Sequence, residues 1–567
     1  MVKMTIDGKP LQVPEGSTIL QAAMSAGVII PTLCYLKDLH EIAACRVCLV
    51  EIVGETNLAA ACNTVVWEGL TVLTNTQRVR EARQVNVELL LSDHELNCPA
   101  CVRGGNCSLQ TLAEKLGIRE VPYDEGYDIQ SWPGEFPLLR RESKCIRCLR
   151  CVSICEKVQS LGVWDTRGSG SRLSLGVTQG LAIEDSVCVL CGQCVTHCPV
   201  GALSARDDCE TVLEALADPE KTVIVQIAPA VRTAWGEGLG LSREEATVGK
   251  MVAAVRRLGV DYVFDTSFAA DVTIMEEASE LLERFTHRDE YNWPMFTSCC
   301  PGWVSFANSQ FPELKPNLSS TKSPQQIFGA VAKTWFAKRM GLDPKNVYCV
   351  SLMPCMAKKD ECTLPGMDSA GTGQDVDAVL TSRELDRLLR SHQVNVYQLE
   401  EELFDDPLGA SSGAGVIFGS SGGVMEAALR SAYYLTTGSN PAPDAFAGVR
   451  VTHGVREITL PLAGTELRAA VVSGLGNARA LLDSILEGEV NYDFVEVMAC
   501  PGGCVGGGGQ PIRDGAELAA SRSPVLYNLD QGAGIRFSHA NPAVQTVYAE
   551  FLKSPLSEVA HKLLHRE

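Results

Sequence analysis

Twenty-three cysteines stand among the 567 residues of this chain, and many keep the spacing of metal ligands. Cys145, Cys148, Cys151 and Cys155 read C-x2-C-x2-C-x3-C, and Cys188, Cys191, Cys194 and Cys198 repeat that run with Pro199 behind it. Two-residue spacers let one tight loop offer three thiolates to three corners of an iron–sulfur cube, and the fourth cysteine of each run crosses to the other cube. The expected sets are Cys145, Cys148, Cys151 and Cys198 for one [4Fe–4S] cluster, and Cys188, Cys191, Cys194 and Cys155 for the other. Zinc is the competing metal, but it takes four thiolates in one closed site, not two overlapping sets.

Cys34, Cys45, Cys48 and Cys62 read C-x10-C-x2-C-x13-C. A close C-x2-C with two outlying cysteines suits a [2Fe–2S] cluster, although ten residues stand where the plant-type pattern has four. A zinc knuckle uses the same four thiolates and stays the alternative. His94, Cys98, Cys101 and Cys107 read H-x3-C-x2-C-x5-C, with the imidazole about one helical turn before Cys98. That imidazole can close the open corner of a third [4Fe–4S] cluster, and, being neutral, it raises the cluster potential as in Rieske centres. Zinc on the same side chains is again the competitor. Both sets resemble the cluster modules at the amino end of respiratory complex I and of related hydrogenases.

Eight cysteines remain: Cys209, Cys299, Cys300, Cys349, Cys355, Cys362, Cys500 and Cys504. Three segments holding five of them, 297–303, 353–355 and 498–511, follow predicted strands at 295–298, 347–353 and 494–499; a further strand is predicted at 222–228. Ligands gather outside the carboxyl ends of strands in open α/β sheets, so these loops are expected to converge. Glycines around Cys504 let backbone approach a bulky inorganic cofactor. Cys209, Cys349 and Cys362 are assigned to packing.

The segments TSCCPGW, MPCMAKKDE and EVMACPGGCVGGGGQP resemble the three signature motifs of [FeFe]-hydrogenases. The cluster modules ahead of them resemble those of the larger monomeric, clostridial-type members, so the likeness covers nearly the whole chain. It implies an H-cluster: a [4Fe–4S] cubane on Cys300, Cys355, Cys500 and Cys504, bridged through Cys504 to a two-iron subsite. In the family that subsite bears carbon monoxide, cyanide and a dithiolate with a bridgehead amine. Cys299, next to a ligand but not itself one, is implied as the first protein proton relay. The MEEASE segment resembles the family's relay and implies that Glu277, Glu280 and Ser319 pass protons outward, with Arg284 near the exit. From periodicity alone those charges are the solvated edge of a helix over 274–285 whose apolar face is Ile274, Ala278, Leu281 and Phe285. Lys358 otherwise reads as surface charge; the resemblance implies a charge-assisted bond to a cyanide. Met353, Met498, Pro324, Gln325, Phe418 and the Ala228-Pro229-Ala230 turn match cofactor-pocket positions. Ala230 stands where some relatives carry Ser, which alters the tuning of the cofactor but not its ligation.

To hold these groups the chain is expected to be multidomain α/β (α+β): a ferredoxin-like β-grasp module, a bacterial 2[4Fe–4S] ferredoxin module, and a large two-lobed α/β hydrogenase catalytic domain. The expected divisions are 1–78 for the [2Fe–2S] domain, 79–125 for the domain with one His and three Cys ligands, 126–208 for the 2[4Fe–4S] domain, and 209–567 for the H-cluster domain. Short apolar runs and turns fill the first 75 residues, with a helix after Ser17-Thr18. Helical character spans 79–118, prolines and glycines mark a linker at 119–143, and 144–207 holds an internal repeat.

Composition limits the function. A chain of this length needs several cores, and with 46% apolar and 21% charged residues it is not broadly disordered. The net charge of −20 argues against nucleic acid as partner. The uncharged stretch 16–36 contains Gln21, Ser25, Pro31 and Cys34 and makes a poor membrane span. No basic-then-apolar leader opens MVKMTIDGKP, so a cytoplasmic location with reduced thiols is expected. Gly249-Lys250 runs into Met251, and no G-x-G-x-x-G leads into a helix, so no nucleotide site is expected. Electrons for 2H+ + 2e− ⇌ H2 should therefore come from another protein, ferredoxin or a similar carrier, docking at a locally basic surface. Maturation proteins supplying the two-iron subsite are further implied partners. Two alternatives stand beside this reading: the catalytic subunit of a multi-subunit NAD-linked or electron-bifurcating hydrogenase, and a non-catalytic iron–sulfur sensor on the same scaffold. The presence of Cys299, Lys358, Glu277 and Glu280 speaks against the sensor.

Overall fold

The computed structural model describes residues 1–127, 131–462, 465–513 and 515–566. The chain opens with a five-stranded sheet in the order Lys9–Val13, Val2–Ile6, Leu70–Leu73, Leu49–Ile52, Ala59–Ala60. Val2–Ile6 pairs antiparallel with its hairpin neighbour and parallel with Leu70–Leu73, the mixed pairing of a β-grasp sheet. The Ile19–Ser25 helix lies on this sheet and buries Ile19, Leu20, Ala22 and Ala23 in its core. Thr18 starts the helix with a capping box: its hydroxyl accepts from the Gln21 amide, and the Gln21 side chain accepts from the Thr18 amide.

The helical stretch expected over 79–118 is two helices, Gln77–Ser92 and Ser108–Lys115, with the cysteine loop between them. Pro99 and the left-handed Gly105 (φ 76°) break the run. The expected linker at 119–143 is corrected too. Leu138–Arg140 is a strand, paired antiparallel with Leu203–Ala205, and its prolines and glycines lie ahead of it. In the repeat, Arg150–Ser153 and Gln193–His197 each open immediately after a left-handed residue, Leu149 (φ 60°) and Gly192 (φ 72°).

Two four-stranded sheets carry the rest. One is all parallel: Tyr262–Asp265, Thr222–Ile227, Val347–Met353, Ala378–Thr381. The other runs Met295–Phe296, Phe494–Met498, Thr465–Ser473, Gly454–Leu462, with only the last pair antiparallel. The Thr266–Thr286 helix stands between their cores: Phe268, Ala269, Val272 and Met275 enter one, and Ala270, Ile274, Ala278 and Leu281 enter the other. A helix buried on two sides cannot show a single apolar stripe, which is why its first two turns escape a periodicity reading. No described helix is long and apolar enough to cross a membrane.

The ferredoxin repeat meets the catalytic part backbone to backbone. A Cβ on Gly508 would stand 2.5 Å from the Gly192 Cα and 2.8 Å from the Cys191 oxygen, so both positions must be glycine for the loops to touch. Gln159 and Gln193 tie the same seam, donating to the Ala499 and Gly506 carbonyls at 3.0 Å each. Gly508→Ala is therefore expected to lower stability by about 1–3 kcal/mol through forced separation of the loops. Thermal unfolding checks this; an unchanged melting temperature would show that the seam is loose.

Candidate functional site

Two strands from each sheet end at one cavity. Thr222–Ile227 delivers Ala228, Pro229 and Ala230, and Val347–Met353 delivers Met353, Pro354 and Cys355. From the other sheet, Met295–Phe296 leads to Cys299 and Cys300, and Phe494–Met498 leads to Met498, Ala499 and Cys500. Pro301 follows Cys300 at the first position of the Pro301–Gln310 helix, where its missing N–H costs nothing. Cys504, Pro324, Gln325, Lys358 and Phe418 complete the wall. All eight expected pocket residues thus meet the four expected sulfurs around a cavity of about 80 Å³.

The donor set suits an iron–sulfur group. None of the 23 cysteines is in a disulfide, and burial pushes the Cys355 thiol up to about 11 and the Cys300 thiol up as well. Buried thiolates need a compensating cation, which iron provides. Gln325 Oε1 is buried with no hydrogen-bond partner among the described residues, an orphan acceptor at the cavity wall. Gly419 lets the Phe418 loop approach Ala230, since a Cβ there would stand 3.1 Å from the Ala230 Cβ. Thr266, Ala270 and Gly419 also line the space, without any motif that singles them out as contacts; Gly503 and Gly507 line it too, as expected of the glycines around Cys504.

Lys358 is not surface charge. Its Nζ donates to the Cys299 carbonyl at 3.1 Å and pairs with Glu361 at 2.8 Å. Burial opposes the ammonium charge, but Glu361 outweighs it and the Lys358 pKa is raised. Glu361 is fully buried and also accepts from the Ser323 hydroxyl at 2.8 Å. It lies one turn past Lys358 inside MPCMAKKDE, so its spacing was visible although its role was not.

Glu277, Glu280 and Arg284 on the Thr266–Thr286 helix are buried, which corrects the solvated-edge alternative for them. Glu277 accepts from the Ser298 amide at 3.3 Å, and its other oxygen has no partner among the described residues. Burial, then the charge of Glu280, pushes Glu277 up to about 8. The Cys299 thiol is raised well above its ordinary value, by burial first and the nearby Glu277 second, so it stays a neutral donor and acceptor. Ser319 donates to Glu280 at 2.6 Å, and Arg284 pairs with Glu280 at 2.6 Å. The Arg284 guanidinium lies 5.4 Å from the ring centre of Tyr291, a residue at the surface. These groups form a buried polar row from the cavity outward.

In the amino-terminal part, Cys145, Cys148, Cys151 and Cys198 line one small cavity, and Cys155, Cys188, Cys191 and Cys194 line another. Cys34 stands within hydrogen-bonding reach of Cys45, and Cys48 of Cys62. Cys500 approaches the Cys191 carbonyl at 3.6 Å, so one of these cavities adjoins the catalytic one. His94 is buried, with Nδ1 lacking a partner among the described residues. Burial, then Lys144, lowers its pKa to about 4, which keeps the imidazole neutral as a ligand requires. His94 and Cys98 do not share a helix: Gln77–Ser92 ends before His94, and Cys98 begins a separate turn.

Residues 221–508 match the family described as iron only hydrogenase large subunit, C-terminal domain. The chain belongs to the [FeFe]-hydrogenase family. Residues 1–77 match a 2Fe-2S iron-sulfur cluster binding domain, 83–122 the NADH-ubiquinone oxidoreductase-G iron-sulfur binding region, 144–202 a 4Fe-4S dicluster domain, and 516–567 the iron hydrogenase small subunit. The NADP-reducing hydrogenase subunit HndD of Solidesulfovibrio fructosivorans is 48% identical over 100% of this chain and 98% of its own length. Iron hydrogenase 1 of Clostridium pasteurianum is 38% identical over 100% of this chain and 99% of its own. The solved apo [FeFe]-hydrogenase HydA1 from Chlamydomonas reinhardtii superposes with a TM-score of 0.58 and 41% identity, covering 64% of this chain and 98% of that one. This hydrogenase is a mixed α/β enzyme whose amino-terminal iron–sulfur domains, of [2Fe–2S] and [4Fe–4S] type, precede a domain for the H-cluster.

Glu277 binds its proton more tightly in the folded hydrogenase than in the unfolded chain. The stability it contributes is full below about 4.5, its ordinary value, and is lost as pH rises through about 8. Glu277→Gln is expected to gain on the wild type across that window by roughly 1–3 kcal/mol. Denaturant unfolding from pH 5 to 8.5 reads it; parallel pH curves would place the Glu277 proton elsewhere.

Proposed function

We propose that this hydrogenase interconverts protons and H2 at one H-cluster held by Cys300, Cys355, Cys500 and Cys504, with Cys504 as the bridge to the two-iron subsite. One [2Fe–2S] cluster on Cys34, Cys45, Cys48 and Cys62 and three accessory [4Fe–4S] clusters carry the electrons, with module boundaries near 78, 125 and 208. The observation that carries this reading is the cavity where four sulfurs from both sheets meet beside Cys299 and Lys358. When bound, the two-iron group supplies an open iron as Lewis acid and a bridgehead amine as base. Lys358, kept charged by Glu361, orients an anionic ligand of that group. The apolar wall of Met353, Phe418, Met498, Pro324, Pro229, Ala228 and Ala230 excludes water. Gln325 offers its free acceptor there.

Protons enter and leave by way of the Cys299 sulfur. The relay runs to Glu277, then through the Ser319 hydroxyl to Glu280, and out past Arg284. A carboxylic acid pushed up to about 8 suits the second position, since it can hold and release a proton near neutrality. A cytoplasmic location fits thiols kept for iron and not spent on disulfides.

The electron partner is proposed to be a separate carrier protein such as ferredoxin. A second reading, favoured by the 48% identity to the NADP-reducing hydrogenase subunit HndD, is a subunit of a larger NAD(P)-linked assembly. No nucleotide fingerprint lies in this chain, so another subunit would have to bind that nucleotide.

The test is Cys299→Ala in protein carrying the complete cofactor set, assayed for H2 evolution from reduced methyl viologen. Turnover is expected to fall by about two orders of magnitude or more, the scale of a lost proton-transfer group. Turnover close to that of the parent would mean protons leave by another route.

A further inference from the structure

A polar cleft of about 720 Å³ opens beside the cysteine loop at 98–107 and lies outside the catalytic cavity. Five arginines from three distant segments line it: Arg103 on the cysteine loop, Arg383, Arg387 and Arg390 on the Ser382–Ser391 helix, and Arg513 past the glycine-rich motif. Spacings of four and three put the helix arginines on one face. Three carboxylates share the wall, Glu237, Glu384 and Asp386, and each has a cation already. Glu384 pairs with Lys359 at 2.9 Å, Glu237 with Arg522 at 2.7 Å, and Asp386 with Arg390 at 3.1 Å. Two of those cations lie outside the lining. Arg387 is in turn paired with Asp207 outside it at 2.7 Å, and Arg513 stands 3.9 Å from Glu237, but five arginines against three lining carboxylates still leave the cleft an excess of positive charge. Arg383 donates to the Gln510 and Gly508 carbonyls at 2.6 and 2.7 Å, not to a carboxylate. Burial first, and the like charge of Arg103 second, lower its pKa to about 10.

We propose that this cleft docks an acidic one-electron carrier protein, and that the cluster on His94, Cys98, Cys101 and Cys107 is the port through which its electrons enter. The proposal rests on the reading of the chain as a hydrogenase with an external electron source. Two features favour a redox protein over a small anion. Cys98 and Cys101 themselves line the cleft, so whatever fills it touches the cluster loop. Beside them Val102 is 42% exposed, an apolar contact for a protein surface. On a chain of net charge −20, an acidic partner is repelled on average and is steered to a local excess of arginine. Arg387, Arg390 and Arg513 form the reachable rim, with side chains 41%, 55% and 67% exposed. Each encounter oxidises one reduced carrier and reduces the cluster by one electron; two encounters supply the pair consumed with two protons in forming H2.

The double variant Arg390→Glu and Arg513→Glu tests this in the full-length holoenzyme, with a reduced 2[4Fe–4S] ferredoxin of net negative charge as probe. At low ionic strength the KM for ferredoxin is expected to rise about tenfold, and its salt dependence to shrink, while turnover with methyl viologen stays within about twofold of the parent. An unchanged ferredoxin KM would overturn the proposal. So would a parent enzyme that turns over with viologen but not with ferredoxin, or inhibition by pyrophosphate that the variant abolishes without any change in ferredoxin KM. A parent without viologen-linked turnover would instead sink the hydrogenase reading itself.

Discussion

Everything in this enzyme depends on placing sulfur where water is not. Four cysteines reach one apolar cavity from the ends of strands in two different sheets, and burial holds their thiols above the ordinary value. Unpaired thiolates would be costly there, so the site is stable in its ligating form only with a strong local cation. The same dry setting makes each remaining charge count. Lys358 is kept charged chiefly by Glu361, itself fully buried, which faces it. Glu277 takes the opposite course and shifts toward its neutral form.

In the proposed scheme electrons and protons reach the cavity from different sides. The electron side is the seam at Gly192 and Gly508, where the absence of two side chains lets the ferredoxin repeat press its cysteine loop against the catalytic loops. The proton side is the Thr266–Thr286 helix, whose Glu277 and Glu280 face the Ser298–Ser319 region instead of either apolar core. The carboxy-terminal tail reinforces that side. Its Arg566 amide donates to the Ser320 carbonyl at 2.7 Å, and the Lys322 amide donates to the Leu564 carbonyl at 2.7 Å. The segment carrying Ser319 is thereby pinned from behind.

Much of this was legible in the sequence, and the exceptions have physical causes. C-x-x-C spacing and strand-end placement brought out the cysteine sets and the convergence of loops, and the strand at Val347–Met353 was read to the residue. Glu277, Glu280 and Arg284 look like a solvated edge because periodicity assumes one buried side, whereas this helix is enclosed by two cores and a loop. Leu138–Arg140 is too short and too closely preceded by prolines and glycines to show its pairing with Leu203–Ala205. His94 keeps its spacing from Cys98, but no shared helix aligns them. The arginine cleft left no trace in local pattern, since its charges come from positions 103, 383–390 and 513.

The central claim, that the four-sulfur cavity holds a cubane joined to a two-iron group with diatomic ligands, is open to one direct spectrum. Infrared spectroscopy of the protein matured with that group should show sharp bands from metal-bound carbon monoxide and cyanide. Fully iron–sulfur-loaded, correctly folded protein with a blank in that region would contradict the account.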